Sequence, residues 1–287
     1  MNGRFATLGP QVEITLRLKA EGPILVKGPD AMSALRPDMA FIRYPTGEGE
    51  EVPFLPGSSL KGVLRSGSEA FLRALGMDIC PTFGNESCGG SQRKDRERCY
   101  TCLLFGSTRG AGVVTVRDGL PWPPGTAPED RNAYRRAVER QTAVRQGVGI
   151  DRRRGAAQHG VLYDFEVLVD TTFFPTLLLR NPDAAQVSVV AAALHLLDEG
   201  ILRVGSGTTR GLGRVHVLEP SVRVMAPTSA ALTELTRALG PAPGRPGAFD
   251  HPRRHGAWWS TATPEKEGLD ALWAWASRLP ELLPVPR

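Results

Sequence analysis

Residues 56–66 read PGSSLKGVLRS, and residues 205–215 read GSGTTRGLGRV. The first segment predicts a tight turn that leads into a helix whose first turn carries hydroxyl groups and Lys61. The second predicts a glycine-rich loop around Arg210 that leads into a strand. Both arrangements bring backbone N–H groups close to phosphates. Because neither segment matches GxxxxGK[ST] or GxGxxG, a polymer with repeated phosphates fits them better than a single nucleotide.

Each segment also has a purely structural interpretation. Lys61 and Arg65 are explained equally well as two solvated cations on a capped surface helix and as phosphate-binding residues. A loop that needs positive φ angles explains the glycines, since glycine adopts that conformation freely. The two segments by themselves therefore leave both interpretations open.

Hydrophobic patterning predicts an α+β fold. Residues 12–18 alternate between apolar and polar side chains, which is typical of a half-buried strand. Ser58 or Ser59 is predicted to cap a helix that ends at Gly76. The order of the main elements is strand, helix, strand, strand, helix, strand, as in ferredoxin-like domains of the RNA-recognition-motif type. The other predicted elements are a hairpin over 39–55, strands at 113–117, 161–169 and 213–218, and a helix at 184–199.

Two insertions and a tail accompany these elements. Residues 78–110 contain every cysteine, and residues 119–160 begin with a proline-rich stretch and become rich in arginine. Near the end of the chain, residues 269–283 predict a short helix that carries Trp273 and Trp275. We expect these tryptophans to dock on a neighbouring protein.

The four cysteines predict a structural zinc site. Two residues separate the last pair, which lets both thiolates reach one tetrahedral ion. The surrounding loop is rich in glycine and charge and cannot bury a core of its own, so a metal would organise it. The alternatives are a redox pair formed by the last two cysteines, or incidental thiols. A catalytic zinc is disfavoured because four thiolates leave no open coordination position. The ligands, spaced C-x7-C-x10-C-x2-C, are Cys80, Cys88, Cys99 and Cys102.

Composition sets broader limits. The 287 residues are 41% hydrophobic, enough for one sizeable core, and the formal net charge is +5. A basic balance favours a polyanionic partner, although a GC-rich genome equally explains why the cations are nearly all arginine. The sequence contains no apparent signal peptide and no apolar run of about 20 residues, so we expect a cytoplasmic protein without a membrane partner and with reduced cysteines.

The order of the motifs resembles the RAMP superfamily, the repeat-associated RNA-binding proteins of CRISPR systems, and most of all the backbone subunits of type III effector complexes. PGSSLKGVLRS resembles the helix start of the family, and GSGTTRGLGRV resembles its last glycine-rich loop. Residues 104–107, followed by residues 113–118, resemble the second conserved sequence block of the family. Residues 150–152 and 160–163 resemble the stretch that carries its projecting thumb hairpin.

The resemblance covers about residues 10–218 and implies a domain organisation. Residues 10–218 would form a ferredoxin-like domain with a zinc-binding insertion at 78–110 and an insertion with an arginine-rich thumb hairpin at 119–160. Residues 219–287 would form a C-terminal extension.

The resemblance also implies where RNA binds. Residues 148–162 are expected to form an arm that contacts the guide, whereas residues 125–146 fit either a solvated helix or part of this arm. The implied RNA-binding residues are Ser58, Ser59, Lys61, Arg65, Arg109, Arg117, Arg152, Arg153, Gly205, Ser206, Gly207, Thr208, Arg210 and Gly211.

One aspartate matches the catalytic position of active family members. Asp38 precedes a predicted strand and the helix start, as the catalytic loop aspartate does in the family, and Asp30 is the alternative. Cleavage would use Mg²⁺ or Mn²⁺. The chain departs from the family at residues 22–28, GPILVKG, where a histidine-containing stretch is expected.

These implications favour a guide-RNA-binding backbone subunit that assembles with homologous subunits and other subunits of the effector complex. It would present the guide to target RNA and could cleave that target at Asp38. The alternatives are an endonuclease that processes guide precursors, for which His216 is the only histidine near the glycine-rich loop, and a non-catalytic RNA-binding scaffold. A generic zinc-ribbon RNA binder would not explain the order of the motifs.

Overall fold

The computed structural model describes residues 6–29, 37–46, 49–93, 98–240, 249–263 and 267–283. The strands are β1 Gln11–Ala20, β2 Arg43–Pro45, β3 Glu51–Pro53, β4 Val114–Val116, β5 Thr142–Asp151, β6 Ala156–Leu168, β7 Thr172–Phe173, β8 Thr176–Arg180, β9 Val215–Ala226, β10 Arg253–His255 and β11 Trp258–Ala262. The helices are α1 Gly57–Ala74, α2 Tyr100–Phe105, α3 Pro128–Arg140, α4 Ala184–Asp198, α5 Ser229–Leu239, α6 Gly268–Ser277 and α7 Leu279–Leu282.

An antiparallel sheet forms the centre of the molecule, and its strand order is β10-β11-β9-β1-β8-β4. The inward residues of β1 are fully buried, as their alternation with polar residues predicts. Helix α4 lies on this apolar side and packs against α1, α6 and β9. Its start is stabilised by reciprocal hydrogen bonds between Asp183 and Gln186, which form a capping box. The mixed α+β class predicted from the sequence is therefore confirmed.

The strand beside β1 differs from the prediction. Residues 161–169 were expected to belong to the main sheet, but most of them lie in β6, which pairs with β5 in a separate two-stranded hairpin. The sheet instead contains β8, whose Leu177-Leu178-Leu179 run is buried on both faces. A short run that is apolar throughout has no alternation by which a strand is recognised, which explains why β8 was missed.

The β5–β6 hairpin, residues 142–168, is called the thumb hairpin below. Its tip is exposed, and Asp151 Oδ1 accepts hydrogen bonds from the backbone N–H groups of Arg153 and Arg154 at 2.8 and 3.3 Å. Before it, α3 is largely exposed and buries only Val138. The undecided segment 125–146 is therefore mostly a solvated helix, and its last residues begin the hairpin.

Residues beyond 218 belong to the same core as the residues before them. Strand β9 continues without a break to Ala226, and β11 pairs with it. Trp275 of α6 is only 1% exposed and stacks on Phe249 with a ring separation of 5.9 Å, while Trp273 contacts His195 edge-on at 4.9 Å. The expectation that these tryptophans dock on a neighbouring protein is wrong for Trp275, because its ring is already buried within this chain.

Helix α1 begins one residue before the predicted capping serines. Pro56 occupies the N-cap position and no side chain caps the helix. The N–H of Gly57 instead donates to Asp118 Oδ1 at 2.7 Å, which fixes the helix start to the end of β4. A Cβ atom at Gly57 would lie 2.3 Å from the carbonyl oxygen of Val116, so glycine permits this close approach. Beyond the helix, Gly76 adopts a φ of 83°, consistent with the predicted helix end.

Two glycines of α1 should respond in opposite directions to alanine. Gly57→Ala should destabilise the fold by about 1–3 kcal/mol, because the helix start must move away from β4. Gly62→Ala should instead stabilise it by about 0.5–1 kcal/mol, since nothing lies within 4 Å of its Cβ position and glycine is unfavourable inside a helix. Urea denaturation of both variants measures the difference. Equal unfolding midpoints would contradict the close packing at Gly57.

Candidate nucleic-acid interface and cysteine cluster

The four cysteines of the insertion converge in the core, where they form the cysteine cluster. All four are buried free thiols, and their sulfur atoms lie within 4.8 Å of one another. Cys80 Sγ lies 3.5 Å from Cys99 Sγ and 3.6 Å from Cys102 Sγ. Four thiolates at a Zn–S distance of about 2.3 Å would have sulfur separations of about 3.8 Å in a tetrahedron. The arrangement therefore fits a metal ion such as zinc.

The surroundings of the thiols also suit a bound cation. Burial raises the pKa of Cys80 and of Cys102, so ionisation of these thiols requires a compensating charge. Burial opposes the ionisation of Cys88 as well, but the N–H of Cys99, which donates to Cys88 Sγ at 3.1 Å, and the neighbouring thiols lower its pKa. A metal would supply the missing charge directly to all four sulfur atoms.

Helix α1 holds the cysteine cluster through one face. Arg65 Nη2 donates to Cys102 Sγ at 3.5 Å, and Arg73 Nη2 donates to the carbonyl of Cys80 at 2.7 Å. Glu69, one turn from each arginine and only 5% exposed, accepts from Arg65 Nε at 2.8 Å. Glu69 and Arg73 were not among the residues predicted from the sequence, although the four-residue spacing of the three charges is a signal for a shared helix face.

A cationic groove of about 440 Å³ lies between α1 and the chain that follows the cysteine cluster, and we call it the α1 groove. Lys61 and Arg65 line one side, residues 105–107 and 110–112 line the other, and no carboxylate is among the lining residues. Burial and the charge of Arg65 together lower the pKa of Lys61. An anion in the groove would relieve this repulsion between the two cations.

Other predicted residues surround this groove or lie close to it in the chain. Ser58 is exposed and Ser59 is half-buried in the first turn of α1. Arg109 lies in the exposed turn between Ser107 and Gly110, and Arg117 is exposed at the end of β4.

The glycine-rich loop, residues 205–213, adopts the backbone that its glycines predict. Gly205, Gly207, Gly211 and Gly213 all have positive φ angles, and Thr208–Arg210 form a single 3₁₀ turn between them. The N–H of Ser206 donates to the carbonyl of Leu25 at 2.7 Å, which ties the loop to the segment after β1. The structural interpretation of these glycines is thus confirmed, and it is compatible with phosphate binding.

Arg210 joins the glycine-rich loop to the base of the thumb hairpin. Its Nη1 donates to the hydroxyl oxygen of Tyr163 at 2.6 Å, and its guanidinium carbon lies 5.9 Å from the centre of the Phe165 ring. The Tyr163 ring lies over Gly147 of β5, where a Cβ atom would meet the ring at 2.3 Å. Only part of the Arg210 fork is therefore left for a ligand. Tyr163 and Phe165 were not predicted as partners of Arg210, because no local sequence pattern connects them with the loop.

Asp38 lies beside the same part of β6. It is exposed, and its Oδ2 accepts a hydrogen bond from the N–H of Asp164 at 3.0 Å. The next residue, Met39, pairs with β6 through backbone hydrogen bonds to Asp164 and Glu166. Tertiary structure thus brings Asp38 and Arg210 to neighbouring residues of one strand. The alternative, Asp30, lies outside the described residues.

Two neighbouring segments support the chain around Asp38. Residues 22–28, where the sequence departs from the family pattern, pair with β6 through Ile24 and with the stretch after Asp38 through Lys27 and Phe41. The buried carboxylate of Glu166 accepts from the N–H of Phe41 and from Arg43 Nη2, each at 2.7 Å. Burial lowers the pKa of Arg43, but the charges of Glu166 and Glu139 outweigh it and raise that pKa overall.

The cations at the tip of the thumb hairpin lie away from the α1 groove and from the base of the hairpin. Arg152 and Arg153 are exposed in the turn after β5. Asp151 pairs with Ala156 and Gly147 pairs with Tyr163, so the tip lies four residues of β5, about 13 Å, beyond Tyr163. The predicted RNA-binding residues therefore fall into three regions, which are the α1 groove, the base of the thumb hairpin and its tip.

The fold is an α+β structure built on an antiparallel sheet. It carries a cationic groove, a glycine-rich loop and a hairpin with arginines at its tip. This combination is expected of a nucleic-acid-binding protein. The model of the RAMP superfamily matches residues 17–216, well over half of the chain. The chain therefore belongs to the RAMP superfamily. Membership implies a CRISPR-associated RNA-binding function, and RAMP proteins act in CRISPR effector complexes. A search among curated proteins finds no match.

Within the part of the chain that the structure describes, no helix is both long enough and apolar enough to cross a membrane.

Proposed function

We propose that this chain is a guide-RNA-binding backbone subunit of a type III CRISPR effector complex. Homologous copies would assemble along the guide and present it to target RNA. Residues 10–218 would form the ferredoxin-like domain, with residues 219–287 as an extension of its sheet. The succession β1, α1, β4, β8, α4, β9 and the strand order β9-β1-β8-β4 support the ferredoxin-like class.

The distribution of cations is the observation that carries this proposal. Lys61, Arg152, Arg153 and Arg210 form no ion pair with any residue that the structure describes, so their charges are available to phosphates. These residues lie in the α1 groove, at the tip of the thumb hairpin and in the glycine-rich loop. Phosphate contacts of this kind supply affinity without sequence choice, and pairing between guide and target supplies specificity.

The open face of the sheet is less suited to RNA. Its cations are paired with carboxylates, as in Arg17–Glu219 at 2.9 Å and Arg223–Glu13 at 2.6 Å. RNA-recognition motifs stack bases on aromatic residues of the sheet, whereas β1 carries none. A larger cleft of about 790 Å³ is also less suited to phosphates, because Arg43 and Arg135 in its lining are paired with glutamates and are outnumbered by them: Glu50, Glu51, Glu139 and Glu166.

The cysteine cluster would hold a structural zinc ion within this domain. Four sulfur ligands complete a tetrahedral site, so the metal would contribute folding energy and would not activate water or substrate. The redox alternative is less well supported, because all four thiols converge rather than only Cys99 and Cys102.

Removing two of the available cations should weaken RNA binding uniformly. Lys61→Ala combined with Arg210→Ala should lower the affinity for guide RNAs of unrelated sequence by a similar factor. The slope of log K against log salt concentration should decrease by about 1.4, since each phosphate contact to a single strand contributes about 0.7. Fluorescence anisotropy at several salt concentrations measures both quantities.

Two further variants serve as controls. Arg17→Ala combined with Arg223→Ala removes two paired cations from the open sheet face, and we expect little change in affinity. A loss as large as that of the first double variant would mean that RNA binds the sheet face. Tyr163→Phe keeps the charge of Arg210 but removes its partner, which separates phosphate binding from support of the thumb hairpin.

A second candidate function is cleavage of the bound target, and the position of Asp38 favours it. The carboxylate is exposed, but the N–H of Asp164 fixes its direction. It would accept the proton of a ribose 2′-hydroxyl, whose oxygen then attacks the adjacent phosphorus while the bond to the 5′-oxygen breaks. The Asp164 hydrogen bond and the pairing of Met39 with β6 would keep this carboxylate in one place as the target moves past the thumb hairpin.

The described residues around Asp38 do not by themselves build a site for Mg²⁺ or Mn²⁺. Among the described residues, the cysteine cluster is the only group of three or more metal-ligating side chains. A divalent ion would therefore need ligands from RNA phosphates in addition to Asp38, as Mg²⁺ commonly takes them.

Processing of guide precursors is less well supported. His216, the histidine considered for that reaction, lies between two carboxylates, with Nδ1 3.3 Å from Asp198 Oδ1 and Nε2 3.1 Å from Glu21 Oε2. These contacts give it a structural role between the end of α4 and the end of β1.

A further inference from the structure

The side of the α1 groove opposite Lys61, residues 105–107 and 110–112, is called the wall. Two arginine side chains attach this wall to the cysteine cluster. Arg65 Nη1 donates to the carbonyl of Gly106 at 3.0 Å, and Arg98 Nη1 donates to the carbonyls of Gly110 and Ala111 at 2.9 and 3.1 Å. Arg98 directly precedes the ligand Cys99, and Arg65 also contacts the sulfur of Cys102. Both attachments therefore start next to a cysteine of the cluster.

Backbone hydrogen bonds fix the two ends of the wall: the N–H of Gly106 donates to the carbonyl of Cys102 at 3.0 Å, and the N–H of Val113 donates to the carbonyl of Leu103 at 3.2 Å. Ser107 and Gly110 exchange backbone hydrogen bonds at 3.0 Å, which closes a tight turn. Gly106 has a φ of 97°, and a Cβ atom at Gly112 would lie 2.3 Å from the nitrogen of Gly106, so two backbone stretches touch with no side chain between them. A turn built from glycine backbone keeps one shape only when its ends are held.

Arg65 has a double role in this arrangement. Its Nε donates to Glu69 on α1, its Nη2 to Cys102 in α2 and its Nη1 to Gly106 at the end of α2, so three acceptors on two segments fix the plane of the guanidinium. Glu69 Oε2 also accepts from Thr82 Oγ1 at 3.3 Å, close to the ligand Cys80. Displacement of either half of the cysteine cluster would therefore turn Arg65 and move the groove wall with it.

We propose that metal occupancy of the cysteine cluster sets the RNA affinity of the α1 groove, with Arg65 and Arg98 as positioning residues that connect the two. The ligand is the phosphate backbone of single-stranded RNA. The inference rests on the proposed RNA-binding function and extends it. A metal joins residues 80–88 to residues 99–102, which holds the groove wall at the distance from Lys61 that one phosphate requires. Without the metal, the wall separates from Lys61.

The test combines metal removal with variants of the full-length chain. The affinity for a labelled single-stranded RNA of mixed sequence is measured with the metal present, after chelation, and after zinc is returned. We expect chelation to lower the affinity about tenfold, the equivalent of one charge-assisted hydrogen bond, and zinc to restore it. Hydrogen exchange should show faster exchange at residues 103–113 after chelation, which reports the wall without reference to RNA.

Two variants distinguish the groove from general loosening of the fold. In Lys61→Ala the groove contact is already lost, so chelation should change the affinity less than threefold. In Arg152→Ala combined with Arg153→Ala, the affinity should be lower at the start, but chelation should still reduce it about tenfold, because the tip of the thumb hairpin lies elsewhere.

Each result has a definite meaning. An unchanged affinity after complete metal removal overturns the inference and leaves RNA binding in place. Equal effects of chelation in both variants also overturn it, because the loss would then be global. A chain that carries its metal but binds no RNA contradicts the proposed function itself.

Discussion

Purified protein should contain one zinc ion per chain, and Cys102→Ser should remove it. Structural zinc sites contribute about 10–16 kcal/mol of apparent binding free energy in small zinc-binding peptides near neutral pH. Here the four cysteines belong to the main hydrophobic core, so the loss should not be confined to the insertion. We expect the variant to unfold at a markedly lower temperature and to expose its remaining thiols. Elemental analysis and titration of reactive thiols in the native state measure both effects.

Ser87→Ala is the matched control for this variant. It lies beside the ligand Cys88 and offers no sulfur ligand, so metal content and melting temperature should stay near those of the parent protein. Protein without zinc whose Cys99 and Cys102 react freely in the native state would contradict the assignment. The cysteines would then be incidental thiols or a redox pair.

Asp38→Asn should abolish cleavage of target RNA while leaving target binding intact. The asparagine oxygen can still accept the hydrogen bond from the N–H of Asp164, but an amide cannot accept a proton from a ribose hydroxyl. Loss of a general base lowers rates by about 10²–10⁴-fold. Stability should change little, because an exposed side chain with one hydrogen bond contributes little to the fold. The measurement is product formation from labelled target RNA by the assembled complex, with Mg²⁺ and with Mn²⁺.

Asp30→Ala is tested beside it because Asp30 is the alternative match to the catalytic position. Cleavage by this variant together with its loss in Asp38→Asn would support Asp38. An assembled complex of the parent protein that does not cut with either ion would make the subunit a non-catalytic scaffold. Cleavage by both variants at every site would place the catalytic group elsewhere.

Local patterns predicted the elements whose two faces differ in polarity. Strand β1 was found from its alternation, because one face packs on the helices and the other faces outward. Helix α4 was found from apolar residues at helical spacing closed by Gly200, although most of its residues are buried, and the hairpin of β2 and β3 was found from the turn between them. These signals lie within a few residues of one another, so no knowledge of the tertiary structure is needed to read them.

Strands whose place in the fold leaves no distinctive local pattern were harder to predict. Strand β8 carries no alternation, and the alternating residues of β6 point to the two sides of a hairpin rather than of the main sheet. The burial of Trp275 within its own chain could not be predicted either. The sequence of a short helix that carries a tryptophan is the same whether this side chain packs on its own chain or on a partner. Whether a side chain is buried depends on which elements become neighbours in the fold, and the sequence around that side chain does not contain this information.

The sequence by itself determined the family, the metal-ligand set as a candidate, and the segments that could approach phosphates, because each depends on residue types at fixed short spacings. Only the tertiary structure decided which of these segments meet. It placed Arg210 on Tyr163, 47 positions away, and Asp38 on Asp164, 126 positions away. It also joined Arg65 to Cys102, 37 positions away. Contacts between distant residues depend on how the sheet and helices pack, and the energy of that packing is shared over the whole core.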